Sequence, residues 1–309
     1  MINIKNNYDL FSDIVKSLNF TKNLIPYKSE NKIIVHFYWR VPLEFGRKQV
    51  LPIKSVLVNN YDINKNNLEI NLWSNVDLSD NEYLKELKDY INIKVWDPFE
   101  ELKGTILEEN IDYYKQNIIH DSKNWIASDF FRLLCLHKYG GFYFDMDVLI
   151  LRDLSPLNNL EFLYQWGSSG TTPNEPNIFY NGAIMRLNKE SSASLKLVKE
   201  TLNIRSAGET TNWSSIIYSK IIDNNLNYLP CAWFNTEWCL NDNDRINFFN
   251  DINYNMTVFK KENNIELFEG AFTWHWHNKW TEPIEEGSKF ETLEKKINEK
   301  YKKIINNEI

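Results

Sequence analysis

The run Phe142-Tyr-Phe-Asp-Met-Asp-Val-Leu-Ile-Leu151 is too apolar to leave one side of a strand in water. It therefore reads as a strand of the fully buried kind, covered on both faces, and such strands belong to α/β folds with a parallel sheet. The residues before it agree. Trp125 to Tyr139 have the composition of a helix, and Gly140-Gly141 close it where glycine tolerates the left-handed backbone of a helix C-terminus. Further upstream the same rhythm recurs. Lys32 to Trp39 predicts a buried strand, Val50 to Val58 a helix, Leu68 to Trp73 a strand, Asn81 to Tyr90 a helix, and Ile91 to Trp96 a strand stopped by Asp97-Pro98. Strands alternating with helices predict a parallel sheet of Rossmann type, with ligands beyond the carboxyl ends of its strands.

The flanks are less regular. Leu10, Phe11, Ile14, Val15 and Leu18 fall at helical spacing, which predicts an amphipathic helix over Tyr8 to Leu18. Beyond Pro156 the pattern predicts a strand over Ile178 to Leu187, helices near Ala193 to Leu202 and Asn212 to Ile222, and a strand near Tyr228. An aromatic segment, Phe272 to Trp280, precedes a lysine-rich helix from Ser288 onward. No internal repeat and no linker breaks this order.

With 309 residues, 43% of them hydrophobic and 15% aromatic, the chain can bury a substantial core as one enlarged domain. A net charge of -7 argues against a general nucleic-acid binder, which needs lysine and arginine to displace counterions from phosphates. An anionic ligand must then be met by a local device such as a bound cation. Cys135, Cys231 and Cys239 form an odd set without a CxxC pair, so neither a disulfide framework nor a zinc knuckle is indicated. Asp9 and Asp13 interrupt the apolar positions of the N-terminus, and no apolar run approaches the ~20 residues of a membrane span. These features predict a cytoplasmic protein with no transmembrane segment and leave room for peripheral membrane contact.

Asp145 and Asp147 stand two apart on the predicted strand, so both side chains would leave one face and converge. Two close carboxylates in apolar surroundings repel each other and resist ionisation unless a cation neutralises them, and Mn2+ or Mg2+ does this while keeping positions for diphosphate oxygens. The competing explanation is a strand end whose acids point into water. Ser128, Asp129 and Arg132 lie on the helix that leads into this strand. Asp129 and Arg132 are three apart and read either as a surface ion pair of small energy or as groups that bind sugar hydroxyls and phosphate.

The whole string from Ala127-Ser-Asp through Arg132 and Gly140-Gly141 to Asp145-Met-Asp147 closely resembles that of glycosyltransferases with a DXD sugar-binding region. The glucosylating domains of large clostridial toxins are more distant relatives of that family. The resemblance implies a GT-A type, Rossmann-like α/β fold with an N-terminal helical extension (1–30), a glycosyltransferase domain (31–287) with an irregular C-terminal half, and a C-terminal helix (288–309). It implies a nucleotide-sugar donor, UDP-linked by likeness to the toxins, a glycan, lipid or protein acceptor, and retention of anomeric configuration.

Residue by residue, it implies that Asp145 and Asp147 hold the metal, that Asp129 and Arg132 orient the sugar, and that Ser128 and Tyr143 belong to the donor site. His36-Phe-Tyr-Trp39 looks like the family's His-Phe-x-Trp, which puts Trp39 against the nucleotide base, where stacking is chemically reasonable. Asn181-Gly182-Ala183 looks like the segment between donor and acceptor, and Asn181 and Glu209 are candidates for the reacting face. His275-Trp-His-Asn-Lys279 resembles the late His-x-Trp element, with His277 where tryptophan is usual. His275 is then the expected third metal ligand, and His277 competes if the register slips. Two other classes share parts of this pattern. A two-metal phosphoesterase or nuclease would want more carboxylates in register and, for nucleic acid, a basic surface. A catalytically idle sugar-binding protein would not need Asp129, Arg132, Asp145 and Asp147 together.

Overall fold

The computed structural model describes residues 9–12, 14–115, 124–168, 178–203, 217–218, 225–236 and 269–308. Its strands are β1 (Ile33–Trp39), β2 (Leu68–Ser74), β3 (Asn92–Val95), β4 (Gly141–Phe144), β5 (Val148–Ile150), β6 (Glu161–Ser168), β7 (Ile178–Leu187), β8 (Leu226–Leu229) and β9 (Thr273–His275). The α-helices are α1 (Asp9–Ser12), α2 (Ile14–Lys22), α3 (Arg47–Asn64), α4 (Pro98–Leu102), α5 (Ile111–Tyr114), α6 (Asn124–Tyr139), α7 (Ser192–Glu200) and α8 (Lys289–Ile305). Seven strands form one sheet in the order β3-β2-β1-β4-β7-β6-β8, and β5 pairs with β9 in a separate two-stranded ribbon.

Half of the sheet is the parallel array that the helix and strand rhythm predicts: β3, β2, β1 and β4 all run the same way. The other half departs from it, because β7 runs antiparallel to both β4 and β6. Antiparallel neighbours need no crossover helix, so β6 and β7 can follow one another directly where the sequence shows no helical pattern between them.

The side chains of β1 alternate between two layers. Ile33, Val35, Phe37 and Trp39 join the core that α3 and α8 cover with Val50, Ile53, Leu57, Phe290, Leu293 and Ile297. Tyr38 joins the opposite core, with Trp73 of β2, Tyr143 of β4 and the Phe130–Leu136 stretch of α6. Both faces are thus buried, as the apolar runs require. The predicted C-terminal helix starts where expected, with Ser288 accepting a hydrogen bond from the Glu291 amide at 3.2 Å. Among the described residues, no helix is long and apolar enough to cross a membrane.

One expectation about these elements fails. The helix predicted over Asn81 to Tyr90 is a chain of tight turns in which the amides of Asn81, Leu84, Leu87 and Tyr90 each bond the carbonyl three residues back, at 2.9–3.0 Å. Only Lys85–Leu87 is regular, and it is 3-10. Leu84 and Leu87, both fully buried, are three apart, and the tighter winding puts both on one side. The N-terminal helix is described in two parts, α1 and α2, and Leu10 packs into the α3 core. Of the helix predicted over Asn212 to Ile222, only 217–218 lie within the described residues.

The turn from α6 into β4 depends on its two glycines. The Gly140 amide bonds the Leu136 carbonyl at 2.9 Å, closing the helix. Gly140 and Gly141 then take φ of 70° and 99°. A Cβ on Gly141 would lie 2.6 Å from the Ile34 carbonyl oxygen of the neighbouring strand. Gly141→Ala should therefore cost at least about 2 kcal/mol, from backbone strain plus a clash with main chain that cannot give way. Gly104→Ala is the comparison, since φ is also positive there (73°) but nothing lies within 4 Å of the added carbon, and the expected loss is about 1 kcal/mol. Urea unfolding of the two variants checks the order.

Candidate active site

The Phe142 to Leu151 run is not one strand. β4 ends at Phe144, and β5 begins at Val148 in the other sheet. The Asp145 amide makes a last rung to the Ala183 carbonyl of β7 at 2.8 Å, and the Val148 amide then bonds the Asp145 carbonyl at 3.1 Å, closing a turn. Two carboxylates inside a doubly covered strand would be stranded in apolar surroundings. By leaving the sheet at Asp145, the chain lets each carboxylate find its own polar partners. The turn lies at the carboxyl end of β4, between parallel β1 and antiparallel β7, where strand direction changes.

Asp145 faces α6. Its Oδ1 accepts hydrogen bonds from Arg132 Nη2 at 3.0 Å and from the Tyr143 hydroxyl at 2.6 Å. Arg132 Nη2 also lies 3.0 Å from Asp129 Oδ1 and donates to Ser128 Oγ at 3.3 Å, and the guanidinium stands 4.8 Å over the Tyr143 ring. Arg132 and Asp129 are 5% and 7% exposed, so the surface ion pair is excluded and the pair is a buried one. Burial pushes the Asp129 carboxyl up to about 6 despite the opposing pull of Arg132. Asp145 is also raised, by burial first, with Arg132 opposing and Asp147 reinforcing.

Asp147 meets the C-terminal segment. Its Oδ2 accepts from the Asn278 amide at 2.7 Å and lies 3.3 Å from His275 Nε2. The ribbon explains the meeting: Val148 pairs with His275, and the Trp276 amide bonds the Asp147 carbonyl at 3.1 Å. His277 stacks on His275 with ring centroids 3.9 Å apart and shares a hydrogen bond with the Asn235 amide group at 3.0 Å. Sequence reasoning left the two histidines as alternatives. The structure brings both to the site and sets His275 against the carboxylate. Burial opposes ionisation of Asp147, yet His275 and the Asn278 amide bring its carboxyl down to about 2. His277 is held well below the usual imidazole range by burial and by its neighbour His275.

The remaining candidates separate. Trp39 is 6% exposed, donates from Nε1 to the Leu43 carbonyl at 2.9 Å and packs edge-on to Phe45 and Trp280. Its strand neighbour Tyr38 points the other way and lines a cavity of about 150 Å3 with Arg40, Asn75, Trp96, Ala127 and Phe130. His36, beside them, is fully buried and joins Trp73 Nε1 (3.1 Å) to the Gly140 carbonyl (3.0 Å), with burial lowering its imidazole to about 4. It is a neutral structural joint. Asn181 turns its carbonyl oxygen back to the Ala183 amide at 2.7 Å. Gly182 leaves space for Tyr218, whose hydroxyl would lie 2.0 Å from an added Cβ. Glu209 and Cys239 lie outside the described residues. Sequence reasoning missed Tyr38, Tyr218, Asn235 and Asn278. A glycine inside a predicted strand was the one available signal for Tyr218, since it often marks a close approach.

Residues 65–164, 100 of the 309, match the family described as glycosyltransferase sugar-binding region containing DXD motif. That match covers about a third of the chain, including the Asp145 and Asp147 pair itself. The matched region holds Ser128, Asp129, Arg132, Tyr143, Asp145 and Asp147, and excludes Trp39 and the His275 segment. The curated proteins compared contain no match. Among solved structures, the glycosyltransferase GlyE of Streptococcus pneumoniae TIGR4 is similar over 89% of this chain and 64% of its own, at 13% identity and a TM-score of 0.50. Mouse xyloside xylosyltransferase 1 is similar over 82% of this chain and 99% of its own, at 13% identity and 0.49. The PaToxG glycosyltransferase is similar over 69% of this chain and 76% of its own, at 18% identity and 0.47. The architecture is of the GT-A type that the sequence led us to expect.

Asp129 yields a pH prediction for the protein in metal-free solution. Its carboxyl, ordinarily near 3.8, sits at about 6 when folded. Between those values the native state holds a proton that the unfolded chain has released, so this group's contribution to stability falls as pH rises from about 4 to 6. Asp147, held near 2, loses its stabilising contribution only as pH drops below about 4, outside that window. Asp129→Asn cannot titrate. Urea titrations at pH 4.5 and 6.5 should show the variant gaining on the wild type at the higher pH.

Proposed function

We propose that this glycosyltransferase moves a sugar from a UDP-linked donor to a hydroxyl of a glycan, lipid or protein acceptor, with retention of configuration and with Mn2+ or Mg2+ held at Asp147. The observation that carries this reading is the paired arrangement of the motif: Asp147 against His275 on one side of the turn, Asp145 against Arg132 and Asp129 on the other. Among the described residues, no three of His, Cys, Asp and Glu already converge as a complete ligand set. The donors present nevertheless suit the ion. Asp147 offers a carboxylate that ionises easily and His275 an imidazole nitrogen, both acceptable to Mn2+, and a site short of protein ligands leaves positions for diphosphate and water.

Bound there, the ion would stabilise negative charge on the departing nucleoside diphosphate. The chain's own residues do the rest. Arg132 keeps Asp145 compensated, so that the two carboxylates of the motif need not share one ion's charge, and Tyr143 fixes the Asp145 carboxylate by donating to it. Asp129, on α6, would accept hydrogen bonds from donor-sugar hydroxyls, and Asn181, on β7, is a candidate for the reacting face. The cavity walled by Tyr38, Trp96 and Phe130 suits a planar base, with Asn75 and Arg40 as polar partners at its rim.

Calorimetry with UDP and GDP, with Mn2+ and with EDTA, tests the metal bridge: affinity should collapse in EDTA, and equal affinity in both would defeat it. Asp147→Asn and His275→Ala should each weaken Mn2+ binding and donor hydrolysis by about 10–100-fold. A screen of nucleotide sugars for slow Mn2+-dependent hydrolysis then identifies the donor.

Tyr38→Ala should weaken nucleotide binding by about 1–3 kcal/mol, as loss of a stacking ring does elsewhere. Trp39→Ala should instead lower the melting temperature, since its ring is packed among Phe45 and Trp280. Melting curves beside nucleotide titrations separate the two roles, and a Tyr38 variant with full affinity would remove the base from this cavity.

A further inference from the structure

Lys48 occupies the first turn of α3, where the helix's own unpaired amides disfavour a cation and where the helix itself carries no acidic residue. Helix stability gives no reason for a lysine there. The reason lies across the interface. Lys48 Nζ donates to the carbonyl oxygens of Lys279 at 2.7 Å, Trp280 at 2.7 Å and Glu282 at 2.5 Å, and lies 6.0 Å from the centre of the Trp276 ring. An ammonium has three donors, and three main-chain acceptors of one turn receive them.

That turn directly follows the residues that meet Asp147. His277 and Asn278 both adopt left-handed backbone, φ 52° and 57°, which costs energy for a residue with a side chain and persists only when neighbours hold it. Asn278 is held at its amide by Asp147. On its far side the Trp280 amide and indole bond Asn278 at 2.8 and 3.0 Å, and the Trp280 ring lies against Trp276 and Trp39 at 4.5 and 5.0 Å. Without an anchor on α3, the carbonyls of 279–282 would have to find other donors, and the strained pair before them would lose its support.

We propose that Lys48 is a positioning residue of the active site, its ammonium gathering the 279–282 carbonyls so that the His275 to Asn278 segment stays seated on Asp147. It acts through the turn. What the seated segment is for rests on the glycosyltransferase reading. That the lysine seats it rests on the hydrogen bonds alone. Burial lowers the ammonium to about 8, with Glu282 opposing, so the group carries its charge at neutral pH.

The test compares Lys48→Met and Lys48→Arg with Arg47→Met. Arg47 is the adjacent residue, and its ion pair with Glu294 ties α3 to α8 without involving the turn. Hydrogen exchange of residues 275–282, read by mass spectrometry, should accelerate at least about tenfold in Lys48→Met and stay near wild type in Arg47→Met, even if both melt at similar temperatures. Mn2+ affinity should fall about tenfold in Lys48→Met and be largely kept in Lys48→Arg. Should Lys48→Met not fold, Lys48→Gln carries the same comparison. Wild-type exchange in the Lys48 variant, or equal acceleration in Arg47→Met, overturns the proposal. If the wild type binds no Mn2+ while exchange still depends on Lys48, it is the metal reading that fails and the positioning role that stands.

Discussion

A guanidinium as deeply buried as that of Arg132 must be neutralised where it lies, because a charge without a partner in the interior costs several kcal/mol. Asp129, one turn away on the same helix, and Asp145, just past the carboxyl end of β4, both meet it at 3.0 Å. The second contact closes a loop over Gly140-Gly141 and fixes how α6 lies against β4. Helix, glycine turn and strand end are therefore one unit. The motif's first aspartate is committed to this unit, and the break after Phe144 follows from that commitment.

The second aspartate belongs to a different assembly. Asp147 is engaged by His275 and Asn278, which arrive on β9 from the far end of the chain and are held there by the ribbon with β5. Two carboxylates two residues apart thus lie in unlike surroundings, one raised by burial beside an arginine and the other brought down to about 2 beside a histidine. Carboxylates whose environments push them apart in this way are suited to separate tasks. In the proposed reading, Asp147 takes the cation. Asp145 carries the link to α6.

Much of the frame was legible in advance. The α6 helix, its glycine turn, the parallel strands and the Ser288 start of α8 all depend on neighbours in sequence: apolar periodicity, a left-handed stop, a hydroxyl at a helix start. Where such signals competed with packing, they misled. Asn81 to Tyr90 has helical spacing but winds as 3-10 turns around Leu84 and Leu87. The run from Phe142 to Leu151 looks like one strand and divides in two, because hydrophobicity alone carries no trace of the separate partners that the two acids meet.

The amino-acid sequence by itself determined the residue types of the site and their local order: Ser128, Asp129 and Arg132 on one helix, then the glycines, then Asp145 and Asp147. Tertiary structure decided which of them meet. The direction of β1 puts Tyr38 in the cavity and buries Trp39. The β5–β9 register sets His275, with His277 stacked upon it, at Asp147, and an α3 lysine grips the turn that follows. Each of these is a contact between segments distant in the chain, chosen by register, burial and charge together, and periodicity within a segment does not say which distant segment supplies the partner.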